Sequence, residues 1–245
     1  MNSAALSADT FLGRILRQPL KLVPAQMPMP ILQGRLRGKR WIAGAHTHGC
    51  WLGTYEHEKQ KLFALEVKEG DTVYDIGANA GFYTLLASVL VGPIGHVYAF
   101  EPLPRNVNFL REHLSLNQIT NVDVVEAAVA DKDGEEYFDD SAGAAMGHLA
   151  ASGNKRVKTV VIDELVNKKM LPAPASLKID VEGAEFLVLS GAKKVLQEIR
   201  PKIFLSTHGP AVHLQCCDLL KRLDYKLHPV GAKDVANSDE IFAIA

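Results

Sequence analysis

Asp75, Glu101, Asp180 and His208 fall at the ends of short apolar runs drawn from distant parts of a 245-residue chain. Carboxylates and imidazoles so placed can do acid–base work. An alcohol is a poor nucleophile until its proton leaves as the new bond forms, and a positioned base must take that proton. Asp180 and His208 are the two candidates, since either group can accept a proton near neutral pH. Glu101 suits another task. It follows Gly81 by roughly twenty residues, the interval at which an acid accepts hydrogen bonds from vicinal ribose hydroxyls in dinucleotide folds. Plainer readings stand beside these: Glu101 precedes Pro102 and also reads as a helix-start acid, and a histidine after a strand often caps backbone groups.

The elements that must hold these groups are readable around the first of them. Thr72 to Ile76 is a β-branched and aromatic run, which predicts a strand buried on both faces. Gly77 and Gly81 open a tight turn, and Phe82 to Val91 resumes at helical spacing. A strand, glycine turn and helix in this order bring bare backbone to a ligand at a helix N-terminus. The dinucleotide fingerprint G-x-G-x-x-G is not met, because Asn79 stands at its second glycine. What remains is acid-x-G-x-x-x-G. Gly95 to Pro102 is a second apolar strand carrying Glu101, so the two together read as a nucleoside-binding βαβ unit. In open α/β sheets, ligands gather at the carboxyl ends of the strands where the strand order reverses.

Asp75 to Gly81 is similar to motif I of the class I S-adenosylmethionine (SAM) methyltransferases. Leu177-Lys178-Ile179-Asp180-Val181-Glu182-Gly183-Ala184-Glu185, followed by Leu189-Ser190-Gly191-Ala192, closely resembles the signature of the FkbM-type methyltransferases. With Phe100-Glu101-Pro102 the similarity spans residues 50 to 230 or thereabouts. The resemblance implies a class I, Rossmann-like α/β fold: a seven-stranded, mostly parallel sheet with helices on both faces. It implies a SAM-dependent transfer, usually to a hydroxyl oxygen. Cofactor contacts are then expected from Asp75, Gly77, Ala78, Asn79, Gly81, Phe82 and Thr84, and from Glu101 and Pro102. Ala127 and Ala128 stand where class I folds touch adenine. Asp180 can contact the SAM amine, a substrate hydroxyl or a metal. Family members often carry an acid at the end of the fifth strand, where this chain has Ser206-Thr207-His208. Methyl transfer from a sulfonium is an in-line displacement, so most catalysis can come from alignment and from excluding water.

Composition narrows the alternatives. Hydrophobic residues make up 47% of the chain, enough for a proper core, and the length fits one α/β domain with an appendage. A net charge of −1 gives no global field toward nucleic acid. Nucleic-acid and amide methylation are also disfavoured by Asp180-Val181-Glu182-Gly183, which replaces the Asn/Asp-Pro-Pro-Tyr type of motif. Cys50, Cys216 and Cys217 do not suggest a disulfide framework, and a reducing cytoplasm fits best. No segment has the apolar length needed to span a bilayer. Arg14, Arg17 and Lys21 interrupt Phe11, Leu12, Ile15, Leu16 and Leu20, which predicts a short amphipathic helix in place of a signal-peptide core. Such a helix is expected to pack on the main domain or on a partner chain, a route to a homo-oligomer, in preference to a membrane.

Residues 1–50 therefore read as an N-terminal extension: that helix, a proline-rich linker from Pro19 to Pro30, and a hairpin over Gly34 to Ile42 turning at Gly38-Lys39. Residues 51–245 read as the SAM-dependent methyltransferase domain. His46, His48 and Cys50 are ligand types, but single-residue gaps splay them apart and no CxxC or HxxxH spacing supports them, so no metal is expected. A substrate-facing loop is expected there instead, with His48, Trp51, Tyr55 and Glu56 as contacts, joined by Glu182 from the signature segment. Asp139 to Asn154 reads as a loop whose Met146 and His148 reach over the site. Asp163 reads as the N-cap of a short helix. Lys178, inside a strand, calls for an ion pair with Asp75, Glu182 or Glu185. The function expected is O-methylation of a hydroxyl on a small metabolite or glycan. The alternatives are a nicotinamide-dependent oxidoreductase of Rossmann type, weakened by Asn79 and by the lack of a Tyr-x-x-x-Lys pair, and a non-catalytic SAM-binding module.

Overall fold

The computed structural model describes residues 22–139, 148–150 and 153–245, with 148–150 as backbone only. The helix expected over Phe11 to Leu20, Met146 and the side chain of His148 lie outside the described residues. Two compact units divide the chain between Tyr55 and Glu56, where the sequence placed the boundary after residue 50.

In the first unit, β1 (Pro28–Pro30) pairs antiparallel with β2 (Arg40–Ile42), and α1 (His48–Leu52) follows. The hairpin is wider than its sequence suggests, because its first strand is drawn from the proline-rich stretch. In a two-stranded ribbon a proline can face away from the only ladder, so its missing N–H costs little.

The second unit begins with α2 (His57–Glu66) and then alternates β3 (Thr72–Ile76), α3 (Phe82–Val91), β4 (His96–Phe100), α4 (Pro104–Leu116) and β5 (Val122–Val125). Four strands interrupt the alternation: β6 (Ala128–Val129), β7 (Gly134–Asp139), β8 (His148–Ala150) and β9 (Lys155–Val160). It resumes with α5 (Ile162–Asn167), β10 (Ser176–Ile179), α6 (Glu185–Ser190), α7 (Lys193–Glu198), β11 (Lys202–Ser206) and α8 (Pro210–Arg222). The chain closes on β12 (Lys226–Pro229) and β13 (Glu240–Ile244).

The main sheet has the order β12-β13-β11-β10-β3-β4-β5, with β13 antiparallel to both neighbours and the other pairs parallel. This is the seven-stranded, mostly parallel α/β sheet that the sequence predicts. Its order reverses between β10 and β3. A second sheet, β6-β9-β7-β8, goes beyond the sequence reading, and β8 is a strand within the segment from Asp139 to Asn154 that the sequence reads as a loop. It is held by the antiparallel register of β7 on β9 and by Phe138, Val157 and Ala128 packing with Leu103.

The two-residue period of a strand sorts the side chains of the main sheet. Tyr74, Ile76, Leu177, Ile179, Ile203 and Leu205 share an apolar core with Val188, Leu196 and Leu220 from α6, α7 and α8. The alternate positions carry Asp75 and Lys178, register partners on neighbouring strands, and then Phe204 and Phe242. Phe63 of α2 packs here against Phe204 (centroids 4.7 Å apart) and against Tyr83 of α3 (5.3 Å). One face of the sheet is thus a plain core and the other seats a buried ion pair. Asp163 departs from its expected role. Helix α5 starts from Val161, and the Asp163 carboxylate accepts the Lys194 and Val195 amides (3.0 and 2.9 Å), which caps α7 instead. Among the described residues no helix is long and apolar enough to cross a membrane.

Candidate active site

The reversal of strand order sets the ends of β3 and β10 side by side. Gly77 follows β3 with φ 76°, and a Cβ there would stand 1.9 Å from the Asp180 carbonyl oxygen. The backbones of the two strand ends touch, a contact open only to glycine. Within the turn, the Gly77 and Ala78 amides donate to Phe100 O (3.0 Å each) and the Gly81 amide to Ala78 O (2.8 Å). The Asn79 amide donates to Glu101 Oε2 (2.8 Å) and the Ala80 amide to Asn79 Oδ1 (2.7 Å). These N–H groups are spent on the turn itself, so it presents no ring of open donors, and the space beside Gly77 and Gly81 is taken by Asp180 O and the Leu110 side chain. His113 of α4, which nothing in the sequence singles out, is buried and donates Nδ1–H to Ala80 O (2.7 Å). Burial pulls its pKa down to about 4, so it holds the turn as a neutral ring.

Glu101 is buried at the end of β4, where it acts as the acid at the start of a helix. It accepts the Leu103 amide at the start of α4 (2.9 Å), the Asn106 side chain (3.2 Å) and the Asn79 amide. Burial pushes its carboxyl up, against those hydrogen bonds. A carboxylate has about four acceptor positions, so roughly one stays available for a ligand hydroxyl. Pro102 follows it, half-buried. Asp75 and Thr84 lie beneath the turn: Thr84 Oγ1 donates to Asp75 Oδ2 (2.6 Å), and both residues are buried. Ala78, Phe82, Ala127 and Ala128 are buried too, with Ala127 in the main core and Ala128 in the second sheet's cluster.

At the ends of β10 and β11 the charges converge. Lys178 Nζ donates to Gly77 O (3.1 Å) and lies 3.3 Å from Asp75 Oδ1 and 3.6 Å from Asp180 Oδ2. Of the acids expected to balance it, Asp75 does so, and Asp180 takes the place foreseen for Glu182 or Glu185. Lys59 was not foreseen. It is 4% exposed and donates to Ser206 Oγ (2.6 Å) and Glu240 Oε1 (2.9 Å). It also pairs with Glu56 Oε2 (2.9 Å) and lies 3.8 Å from Asp180 Oδ2. Both ammoniums sit near the Tyr83 ring, at 5.3 and 5.5 Å from its centroid. Burial works to lower both lysine pKa values, but the carboxylates outweigh it and both rise. Burial would likewise raise Asp180, yet Lys178, Lys59 and His208 bring it down to about 2.

His208 follows β11 and donates Nδ1–H to Glu185 Oε1 (2.9 Å). The same oxygen accepts the Val181 and Gly183 amides (3.3 and 2.9 Å). Its Nε2 lies 3.4 Å from Glu182 Oε2 and 3.8 Å from Asp180 Oδ1. The hydrogen bond to Glu185, with the nearby Glu182 and Asp180 charges, lifts its pKa to about 9 against burial. In this arrangement the imidazole keeps its proton at neutral pH. Glu182, Glu56 and Asn79 all adopt positive φ (54°, 44° and 51°), a conformation that is uncommon for residues other than glycine.

The structure thus gathers Asp180, Glu182 and His208, with Glu56 joined to them through Lys59. His48, Trp51 and Tyr55 belong to the first unit. There Trp51 Nε1 donates to His48 Nδ1 (3.1 Å) and Tyr55 meets His46 edge-on (5.3 Å).

Residues 75–227 match the profile of the methyltransferase FkbM domain. The hexuronic acid methyltransferase AglP of Haloferax volcanii is 31% identical over 146 residues, which is 59% of this chain and 59% of that protein. A protein-L-isoaspartate O-methyltransferase of Ignicoccus hospitalis is 37% identical over 62 residues, 25% of this chain and 29% of its own. The chain therefore spans less than two thirds of the length of these curated relatives. Among solved structures, the methyltransferase FkbM from Methylobacillus flagellatus superposes with a TM-score of 0.53 at 19% identity, covering 72% of this chain and 44% of that one. A putative rRNA methylase from Clostridium thermocellum gives 0.52 at 16% identity, covering 76% and 91%. These two likenesses speak for the fold alone. The profile match takes in Asp75, the glycine turn, Glu101, the segment from Asp180 to Glu185 and His208, and on that match the chain belongs to the FkbM methyltransferase family.

Proposed function

We propose that this protein transfers the methyl group of SAM to an oxygen of a glycan or small metabolite, with sugar acids the first class to try. The observation that carries the reading is the meeting, at the switch in strand order, of the close-packed glycine turn, Glu101 with acceptor capacity left, and an ionised Asp180. The sugar-acid choice is supported by the relative named for hexuronic acid. Family membership leaves the nicotinamide alternative without support.

The residues present fit SAM, since Glu101, with three of its roughly four acceptor positions filled, can take a ribose hydroxyl at the end of β4. When bound, SAM would supply a sulfonium methyl for an acceptor oxygen, the broken C–S bond leaving its electron pair on sulfur. Asp180 orients an acceptor hydroxyl and takes its proton. With a pKa of about 2 it is a weak base, so alignment and exclusion of water supply most of the rate. His208, through its Nδ1–H bond to Glu185, holds the loop from Asp180 to Glu185 in place.

Methyl-labelled SAM, offered with hexuronic-acid oligosaccharides and with neutral ones, tests the reading, with the product located by mass spectrometry. Label on a sugar oxygen is expected. Tight SAM binding with no transfer to any acceptor would leave a silent SAM-binding module, and no SAM binding would remove the cofactor assignment. Glu101→Ala should weaken SAM binding by roughly tenfold to a hundredfold, the equivalent of about 1.5–3 kcal/mol of charge-assisted hydrogen bonding. Unchanged affinity in a folded variant would detach Glu101 from the ribose.

A further inference from the structure

We propose that Asp180, Glu182 and His208 form a binding site for one divalent metal ion, with manganese the best match. Their ligand atoms lie within 4.8 Å of one another, on half-buried side chains delivered by the ends of two neighbouring parallel strands. The oxygens of Asp180 are divided. Oδ2 lies on the side of Lys178 and Lys59, while Oδ1 lies 3.8 Å from His208 Nε2. One carboxylate oxygen is therefore already balanced and the other is turned to the histidine.

Two independent features point to an ion among them. The first is spacing. His208 Nε2 stands 3.4 Å from Glu182 and 3.8 Å from Asp180, longer than the roughly 2.7–2.9 Å of a charge-assisted hydrogen bond. An ion about 2.1 Å from each ligand sets neighbouring ligand atoms about 3.0–3.4 Å apart, so the two His208 distances need little contraction, while the set as a whole, which spreads to 4.8 Å, must close further around the ion. The second is Glu185, which is wholly buried and lies outside the ligand set. It accepts Nδ1–H, and the Val181 and Gly183 amides pin the same oxygen, which fixes the ring and presents Nε2 to the two acids. A carboxylate behind the far nitrogen is the usual support of a metal-bound histidine.

Two carboxylates and one imidazole suit an ion of intermediate hardness such as Mn²⁺, and three protein ligands leave positions for water or an acceptor oxygen. An ion here would stand where the acceptor approaches and would acidify its hydroxyl, a gain that Asp180 as a weak base does not supply. That role rests on the proposed methyl transfer, whereas the binding does not. The set shares no residue with His46, His48 and Cys50, and of its members the sequence names only Asp180 as able to hold a metal, so it departs from the expectation of none.

The full chain, stripped with chelator and dialysed, is titrated with MnCl₂ while the signal of free Mn²⁺ is followed by electron paramagnetic resonance. MgCl₂ and ZnCl₂ are titrated by calorimetry, and neither SAM nor acceptor is added. Saturable uptake of one ion per chain is expected for at least one of the three. Glu185→Gln should lower that affinity by about 10–100-fold, and Glu182→Gln and His208→Ala by at least as much. Glu182 and His208 are half-buried, so both variants should fold, which circular dichroism checks; if His208→Ala does not, Glu182→Gln decides alone. No saturable uptake of any of the three ions overturns the proposal, as does uptake that both ligand variants leave unchanged. Because no methyl is transferred in this titration, its failure and a failure of the transfer assay are separate results.

Discussion

The turn after β3 and the charged cluster after β10 and β11 touch through Gly77 and Asp180, yet they are built on opposite terms. The turn settles its polar groups locally: its amides bond to Phe100, Glu101, Asn79 and Ala78, all nearby in the chain or on the adjacent strand. In the cluster, Lys59, Lys178, Asp180, Glu185, His208 and Glu240 come from five elements or their ends and balance one another only across the fold. Local satisfaction gives a rigid platform whose shape does not depend on a ligand. Long-range balance gives a site whose charge can be shifted by a ligand, a proton or an ion.

The largest effect should come from removing the cation that joins the two regions. Lys178→Met keeps the volume but takes the ammonium from beside Asp75, which is 1% exposed, and leaves Asp180 with Lys59 and His208, each at 3.8 Å. Breaking a buried pair in this way costs about 3–5 kcal/mol. Urea unfolding should show the unfolding free energy falling by that amount, and adding Asp75→Asn should recover part of the loss. A Lys178→Met protein as stable as the parent would mean that the regions do not depend on this lysine.

Gly77→Ala breaks the platform instead and should cost less, roughly 2–4 kcal/mol. Its methyl would meet the Asp180 carbonyl at 1.9 Å from a residue with φ 76°, so both overpacking and backbone strain contribute. Gly183→Ala is the control: its φ is 105° but nothing lies within 4 Å of an added Cβ. Thermal melts should rank Gly77→Ala well below Gly183→Ala, and equal melts would show that close approach adds nothing to the cost of the dihedral.

The same contrast explains what the sequence could disclose. Strand β3, the turn and α3 were legible because apolar periodicity and glycines are local signals, and the bounds of α3 match the predicted Phe82 to Val91. The main sheet was expected from the family resemblance carried by those segments. Its small companion, β6-β9-β7-β8, was not, because its strands are short or face solvent and carry little apolar pattern. Asp180 and His208 could be named from their places at strand ends. Lys59, Ser206 and Glu240 could not, since a lysine on a helix and an acid opening a last strand read as solvated groups until the fold buries them together. Asp163 failed for the converse reason: its residue type announced a cap, but which helix it caps is a tertiary fact.

The smallest effect concerns the proton on His208, and it tests whether the cluster is balanced across the fold as described. Its pKa rises from an ordinary 6.5 to about 9 in the folded protein. A raised value means that the folded state binds the proton more tightly. The associated stability is therefore fully present below about pH 6.5 and is lost as pH climbs through 9. His208 is about a third exposed, so solvent screening reduces the contribution to about 1 kcal/mol. Asp180, at about 2, stays ionised across this window and adds no slope of its own. Unfolding free energies measured in chelator at pH 6 and pH 9.5 should thus differ by about that much more for the parent than for His208→Gln, the comparison cancelling groups that titrate in both. A parent and variant with parallel pH dependence would show that the carboxylates around His208 do not hold its proton, and that the cluster is less tightly coupled than its distances imply.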